Sequence, residues 1–517
     1  MGSWGREVER ATVAGHPCLI YAQRPHSVAE LLAAGSRWHE RELLIQGARR
    51  ITGGQHAQAV AAAAAHLRER GVQPGDTVLL LGFNSIEWVV AFWALQTLGA
   101  VAAQGNAWWS DAEVAAAVEL VEPALALTDR DVTVPAVGLD ALRNLPFAPL
   151  RLEPVAEDDL ALIMFSSGTT GAAKAVLMSH RSVVANIHNL LVLTGRLPDE
   201  LPEHHPGTVS MLSVPLFHLA GIQTSITTLL SGGRLVFLEG RFDAGEVLRL
   251  IETERVRVWG SIPTMVSRVL DHPGFAGFDT SSVRSVPMGG AAISPELRER
   301  VAAAFTGVKA RVGSLYGLTE AGGVLAAGSG ADITSRPGAV GKALPVVELA
   351  IQDPGPDGVG EIAARTPTMT GGYLRDSEPL TDAEGWIRTG DLGRIDDDGW
   401  LYVTGRSKDI IIRGGENIAA AAVERALASH PDVVEVAVVA LPHADLGEEV
   451  GAAVVLRAGA TADPAALRTH AAQTLARHEV PARWWLHPGP LPTNPSGKVL
   501  RREVRAEWVS AGGADRT

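Results

Sequence analysis

Between Met164 and His180 the chain reads MFSSGTTGAAKAVLMSH. Six of the seven residues 166–172 are Ser, Thr or Gly, with apolar runs on both sides. Small residues let backbone N–H groups turn toward an anion, hydroxyls add donors, and Lys174 supplies a movable charge, a combination that suits a polyphosphate. It is not a Walker A loop, because Lys174 does not follow a glycine and no Ser or Thr follows it. The lysine itself is unusual: only five of the 45 basic residues are lysine (Lys174, Lys309, Lys342, Lys408 and Lys498), the rest being arginine. Where such a chain keeps a lysine, a compact, flexible ammonium is expected to matter more than a planar guanidinium.

Six further segments follow in order: Pro215–Gly221 (PLFHLAG), Gly289–Ala292 (GGAA), Tyr316–Glu320 (YGLTE), Thr389–Asp391 (TGD), Gly405–Ile418 (GRSKDIIIRGGENI) and Pro492–Glu503 (PTNPSGKVLRRE). Together with SSGTTGAAK they resemble, in order and spacing across roughly residues 30–510, the adenylate-forming superfamily of acyl-CoA synthetases, peptide-synthetase adenylation domains and beetle luciferases. Asn106–Trp109 (NAWW) and Trp259–Met265 (WGSIPTM) are most similar to the fatty- and aryl-acyl-CoA ligase branch.

The resemblance implies roles that side-chain chemistry can sustain. Ser166, Ser167, Gly168, Thr169, Thr170, Gly171 and Lys174 would hold the phosphates of ATP. Tyr316 would stack on adenine, with Gly289, Gly290 and Ala291 along the base, where glycines permit close backbone approach. Thr319 and Glu320 would meet the α-phosphate and Mg²⁺, for which a carboxylate is a suitable hard ligand. Asp391 and Arg406 would take the ribose hydroxyls, the first accepting and the second donating. Lys498 is the implied catalytic lysine, bridging the attacking carboxylate and the α-phosphate as charge develops. His218 is implied to contact or gate the substrate; a general base is not required, since a carboxylic acid is already ionised at pH 7. Lys408 occupies the implied hinge between adenylating and thioester-forming arrangements, after which Gly414, Gly415 and Glu416 would line an acceptor tunnel for CoA.

Several positions depart from the family pattern. Ala173 and Ala175 flank Lys174 in place of Pro and Gly, Ala292 replaces a common proline, and Ala419, Ala420 and Ala422 follow GGENI where Tyr-Pro-x-Glu is usual. Gly313-Ser314-Leu315-Tyr316 replaces Gly-Asn-Gly-Tyr, so Leu315, with Ser314 and Trp259, is expected to shorten the acyl pocket toward a small or compact acid. Two alternatives follow: a non-CoA acceptor (a carrier protein or an amine), or activation of an inorganic oxyanion such as nitrite for N–N bond formation on an arylamine.

These residues need a scaffold, and the first half of the chain supplies repeated β-α-β signals: TVLLLG, then IEWVVAFWALQTL, then AVAAQ, with the same alternation at 209–238 and 256–272. Parallel sheets covered on both faces follow, with ligands at the carboxyl ends of strands. From about Gly338 short runs separated by Gly and Asp turns predict a small β-barrel or an antiparallel layer, and after Gly405 a separate α+β unit. The expected architecture is α/β: an N-terminal adenylation domain, 1–405, and a mobile C-terminal lid, 406–517, hinged near Lys408.

The 517 residues are 46% hydrophobic and carry a net charge of −13, which excludes global disorder and argues against a sequence-independent nucleic-acid binder. A single cysteine, Cys18, excludes an intrachain disulfide framework and suits a reducing cytosol. The segment starting MGSWGREVER has no apolar h-region, and the run Trp88–Ala103 is too short and mixed to span a bilayer, so a cytoplasmic location is expected.

Overall fold

The computed structural model describes residues 4–167, 173–289, 293, 295–308, 313–328, 330–336, 338–376, 378–414, 416–457, 459–493 and 499–510. The run TVLLL forms the strand Thr77–Leu81 at the heart of a six-stranded sheet. Because side chains alternate across a strand, its two faces feed two cores. Val78 and Leu80 join one cluster with Trp88, Leu162 and Ile222; Leu79 and Leu81 join another with Val114, Val118 and Ile163. Burial on both faces explains why the strand reads as continuous apolar sequence instead of alternating. The pairings are parallel except at one edge, where Leu160–Ser167 and Ala173–Ser179 run antiparallel and place Lys174 opposite Ser166.

A second sheet, of five strands, places Val209–Leu212 between Arg234–Phe237 and Val258–Gly260, all parallel, with Glu42–Gln46 and the antiparallel strand Arg49–Thr52 beyond. Helix Ile86–Thr97 contributes to the core shared by the two sheets, and every one of its residues is buried. Its first turn is capped by Ser85, whose Oγ accepts the Trp88 N–H at 3.0 Å. The opposite face of the second sheet packs on helices Ala244–Glu254, Pro263–Leu270 and Pro295–Ala304.

Residues 314–406 build a seven-stranded sheet that is antiparallel throughout. Its strand order is an open path from Ser314–Leu318 to Glu348–Gln352, whose end strands do not pair among the described residues. The antiparallel layer is therefore realised, and the closed barrel is not. Beyond it, five strands between Ile410 and Leu486 form a further sheet covered on both faces. Adjacent tryptophans show the alternation directly: Trp484 packs with helices Ala420–Ala428 and Pro464–Ala471, and Trp485 with Trp508 of helix Arg501–Ser510. Among the described residues no helix is long and apolar enough to cross a membrane.

Candidate active site

Asp391 and Arg406 are register partners in the antiparallel pair Ile387–Ile395 and Leu401–Arg406. The Arg406 Nε donates to Asp391 Oδ1 at 2.9 Å, and the Tyr316 hydroxyl donates to Oδ2 at 2.9 Å. Asp391 is 6% exposed, so both donors act where water competes little. The Thr389 hydroxyl accepts the Asp391 N–H at 3.1 Å and donates to the Ile362 carbonyl at 2.8 Å, which fixes the turn. Burial and the neighbouring carboxylate push the Tyr316 phenol well above its ordinary value, so it remains a donor. Next to it, Gly317 is required by close approach: a Cβ there would lie 2.0 Å from the Gly323 carbonyl oxygen.

The hairpin carrying Ser166, Ser167 and Lys174 stands beside a second cluster. Its edge strand is met by the segment 370–374, with Val176 bridged to Tyr373 and the Leu374 N–H donating to Ala175 O at 2.8 Å. This puts the Tyr373 ring under the Lys174 ammonium, 4.3 Å from centroid to Nζ. The Tyr373 hydroxyl donates to Glu320 Oε1 at 3.2 Å, and Thr370 Oγ1 donates to the Glu320 carbonyl at 2.9 Å. Burial, then the Glu320 carboxylate, pushes the Tyr373 phenol up to about 12. Tyr373 thus ties the loop lysine to the YGLTE carboxylate, a link absent from the sequence reading. One signal could have found it. The chain has four tyrosines, and Tyr316 and Tyr373 both hydrogen-bond carboxylates of this site. Gly168, Thr169, Thr170 and Gly171 lie outside the described residues, as do Gly290, Ala291 and Ala292.

A cavity of about 1760 Å³ joins Asp391, Tyr316 and Thr319 to His218, Ser314, Leu315 and Gly289. Gly289 adjoins Leu315, whose N–H donates to the Met288 carbonyl at 3.3 Å. His218 precedes helix Leu219–Leu230 without capping it, and its Nε2 is buried with no hydrogen-bond partner among the described residues. Burial pulls this imidazole down to about 4, so it faces the cavity neutral at pH 7. Trp259, expected in the pocket wall, is instead fully buried in the core behind the second sheet. Its Nε1 donates to Ser213 Oγ at 2.9 Å and its ring meets Phe305 edge-on. Strand alternation is the reason: Trp259 packs with its register partner Met211 in the core behind the sheet, while its neighbours Val258 and Gly260 line the cavity. Nor does Leu315 close the pocket, since the cavity continues over Ser210 and Thr208.

Lys408 is exposed within the short turn Ser407–Asp409. Immediately after it, Asp409 pairs with Arg501 at 2.6 Å, and Arg501 also holds Glu424 through Nε at 2.7 Å. Gly414, at φ +58°, sits at the tip of the hairpin Ile410–Arg413 and Glu416–Ala419, and neither it nor the exposed Glu416 lines the cavity. Gly415 and Lys498 lie outside the described residues; Val499, which follows Lys498, lines the cavity and bridges Thr493.

A hydrogen-bonded carboxylate at the wall of a large cavity, and beside it a lysine-bearing hairpin tied to a second carboxylate, are features of an enzyme that activates a substrate on a nucleotide. Comparison with known proteins agrees. Residues 31–374 match the AMP-binding enzyme family and residues 422–498 the AMP-binding enzyme C-terminal domain. The chain belongs to this family, the adenylate-forming superfamily in its acyl-CoA synthetase branch, and is an AMP-forming ligase. It is 30% identical to a probable CoA ligase, CCL5, of Humulus lupulus, covering 93% of this chain and 92% of the relative. It is 33% identical to a feruloyl-CoA synthase of Amycolatopsis sp, covering 89% and 95%. Among solved structures, ATP-bound MatB from Rhodopseudomonas palustris superposes with a TM-score of 0.81 at 28% identity, over 92% of this chain and 99% of that one. The amide bond synthetase McbA from Marinactinospora thermotolerans gives 0.80 at 29%, over 92% and 99%.

Proposed function

We propose that the chain is an acid–CoA ligase working in two steps. A carboxylate attacks the α-phosphorus of ATP, giving acyl-AMP and pyrophosphate, and the CoA thiol then displaces AMP from the mixed anhydride. The observation that carries this reading is one continuous cavity joining the Tyr316–Asp391–Arg406 cluster to the pocket under the neutral His218. Asp391 and Arg406 hold the ribose, Tyr316 stacks on adenine beside Gly289, Gly290 and Ala291, and Thr319 meets the α-phosphate. Ser166, Ser167, Gly168, Thr169, Thr170, Gly171 and Lys174 cradle the phosphates, and Lys498 neutralises the attacking pair.

Glu320 suits Mg²⁺: Tyr373 occupies one of its oxygens, and no group of three or more His, Cys, Asp or Glu gathers among the described residues. One carboxylate with the remaining positions filled by phosphate and water is the usual Mg²⁺ arrangement. When bound there the ion would offset phosphate charge. Glu320 orients it, while Tyr373 holds the carboxylate and keeps its own proton.

In this reading residues 1–405 form the adenylating domain and 406–517 a lid turning about Lys408, with the Arg268–Glu435 and Asp271–Arg457 ion pairs joining the two in the present arrangement. Gly414, Gly415 and Glu416 enter the acceptor tunnel after the turn. The acid is read as extended instead of compact, because Trp259 is in the core and the cavity passes Leu315. An amine acceptor is the second reading, favoured by Ala419, Ala420 and Ala422 after GGENI and by the likeness to an amide bond synthetase. The test is pyrophosphate release across a panel of acids, nitrite included, each with and without CoA or an amine. CoA-dependent thioester formation with one acid class supports the first reading. Amide formation without thioester supports the second, and release with nitrite alone refutes both.

A further inference from the structure

The far end of the cavity carries charge that the adenylation chemistry does not use. Thr208, Ser210, Val258 and Gly260 run along one face of the parallel strands. Their carboxyl ends lead to Ser261 and, through its bridge to Met288, to the nucleotide end. At their amino ends stand Arg257 and Arg196, both lining the cavity. The Arg257 N–H donates to Val209 O at 2.9 Å, which fixes it at the mouth, and Arg284 adjoins it by donating its N–H to Arg257 O at 2.8 Å.

Most arginines of this acidic chain are matched to a carboxylate, yet among the described residues Arg196, Arg257 and Arg284 form no ion pair. Arg284 spends its Nη1 on the carbonyls of Ser281 and Val283. Arg196 and Arg257 have no side-chain partner among the described residues. They lie close enough that Arg257, after burial, pulls the Arg196 guanidinium below its usual value. Two guanidinium groups without an acidic partner thus line one end of the cavity, and a carboxylate reaching that end could accept charge-assisted hydrogen bonds from them.

We infer that Arg196 and Arg257 form a distal anion subsite, and that the ligase takes an acid bearing a second carboxylate at the far end of an extended spacer. This rests on the acid-activating reading above. The strand sets the length. Ser261 lies four residue steps beyond Arg257, about 13 Å at the usual rise per residue. Part of that span is covered by the arginine side chains, leaving room for a flexible spacer such as that of suberate or sebacate.

The experiment measures kcat/KM for pyrophosphate release with suberate and sebacate against octanoate and decanoate, in the wild-type chain and in Arg196→Leu/Arg257→Leu. The wild type is expected to prefer the diacids. The double variant should lower the diacid-to-monoacid ratio roughly 10- to 100-fold, the size of a lost charge-assisted pair. Arg257→Lys should keep part of the preference. If the double variant fails to fold, the exposed Arg257→Gln reads the same ratio. Turnover of monoacids with no diacid preference, or an unchanged ratio in the variants, overturns the distal subsite and leaves the ligase reading standing. No release with any acid overturns both.

Discussion

Tyr373 offers the sharpest test of the proposed role of the Lys174–Glu320 cluster, because its hydroxyl and its ring touch different partners. Tyr373→Phe removes only the hydrogen bond to Glu320, which at 3.2 Å is long for an O–H donor. A weakened charge-assisted bond of this kind is worth about 1 kcal/mol, or roughly a fivefold loss in kcat/KM for Mg·ATP. Tyr373→Leu also removes the ring beneath Lys174, 4.3 Å away, and a partly buried cation–π contact adds about 1–2 kcal/mol. The Leu variant should therefore fall roughly 30- to 150-fold. The assay is initial pyrophosphate release against ATP concentration at saturating acid, with thermal midpoints confirming that both variants fold. Because burial and Glu320 hold the phenol at about 12, the wild-type rate should show no titration of this group between pH 6 and 9. The control is a double-mutant cycle with Lys174→Ala, in which Leu should cost little more than Phe once the ammonium is gone. Equal losses in Phe and Leu would refute the division of labour. Losses below twofold in both would remove Tyr373 from the phosphate site.

Lys498→Ala should lower acyl-AMP formation roughly 100- to 1000-fold while leaving thioester formation from supplied acyl-AMP within a few-fold; equal loss in both half-reactions would count against the assignment. Trp259→Ala should cost about 3–5 kcal/mol in urea unfolding without altering acid selectivity, since Trp259 fills a core and no pocket wall. A changed acid preference at unchanged stability would return it to the pocket. Finally, His56, His180 and His188 are buried and held at about 4 by desolvation, well below their unfolded value near 6.5. As pH falls the unfolded chain takes up these protons first, so their stabilising contribution is complete above about pH 6.5 and is lost progressively toward pH 4. The urea midpoint should drop between pH 7.5 and 5, and a higher midpoint at pH 5 would contradict the burial.

The sheets were legible because their strands announce burial on both faces. TVLLL, VSML and RLVF have no polar alternation, and each is followed by a helix signal of the right length. The antiparallel layer was legible as strands and turns, but its closure was not. Whether seven strands curl into a barrel depends on pairing between Ser314–Leu318 and Glu348–Gln352, and no local residue encodes that long-range choice. Helix Pro464–Ala471 gives way at its end to turns at Gln473 and Thr474, with i−3 bonds to His470 and Ala471.

The site shows the same division between local and long-range information. Residues named from separate motifs, such as Asp391, Arg406 and Tyr316, are brought into hydrogen-bond contact with one another. Placement that depends on which face of a strand a residue occupies was not legible in the same way. Trp259 stands in a segment resembling a substrate-binding motif, yet a one-residue alternation turns it into the core and leaves Val258 and Gly260 to line the cavity. The lysine bias sharpens under the same light. Lys174 is held by an aromatic ring supplied from 199 residues further along the chain, and Lys342, for which the sequence suggested no role, lies 5.3 Å from the Trp400 ring. A scarcity of lysine therefore flags positions where an ammonium is placed on something, but only the fold says which ring lies beneath it. The arginines carry the complementary lesson. Many of them are neutralised by a neighbouring carboxylate, whereas Arg196 and Arg257 line the cavity with no ion pair among the described residues, a property of the fold that composition alone does not reveal.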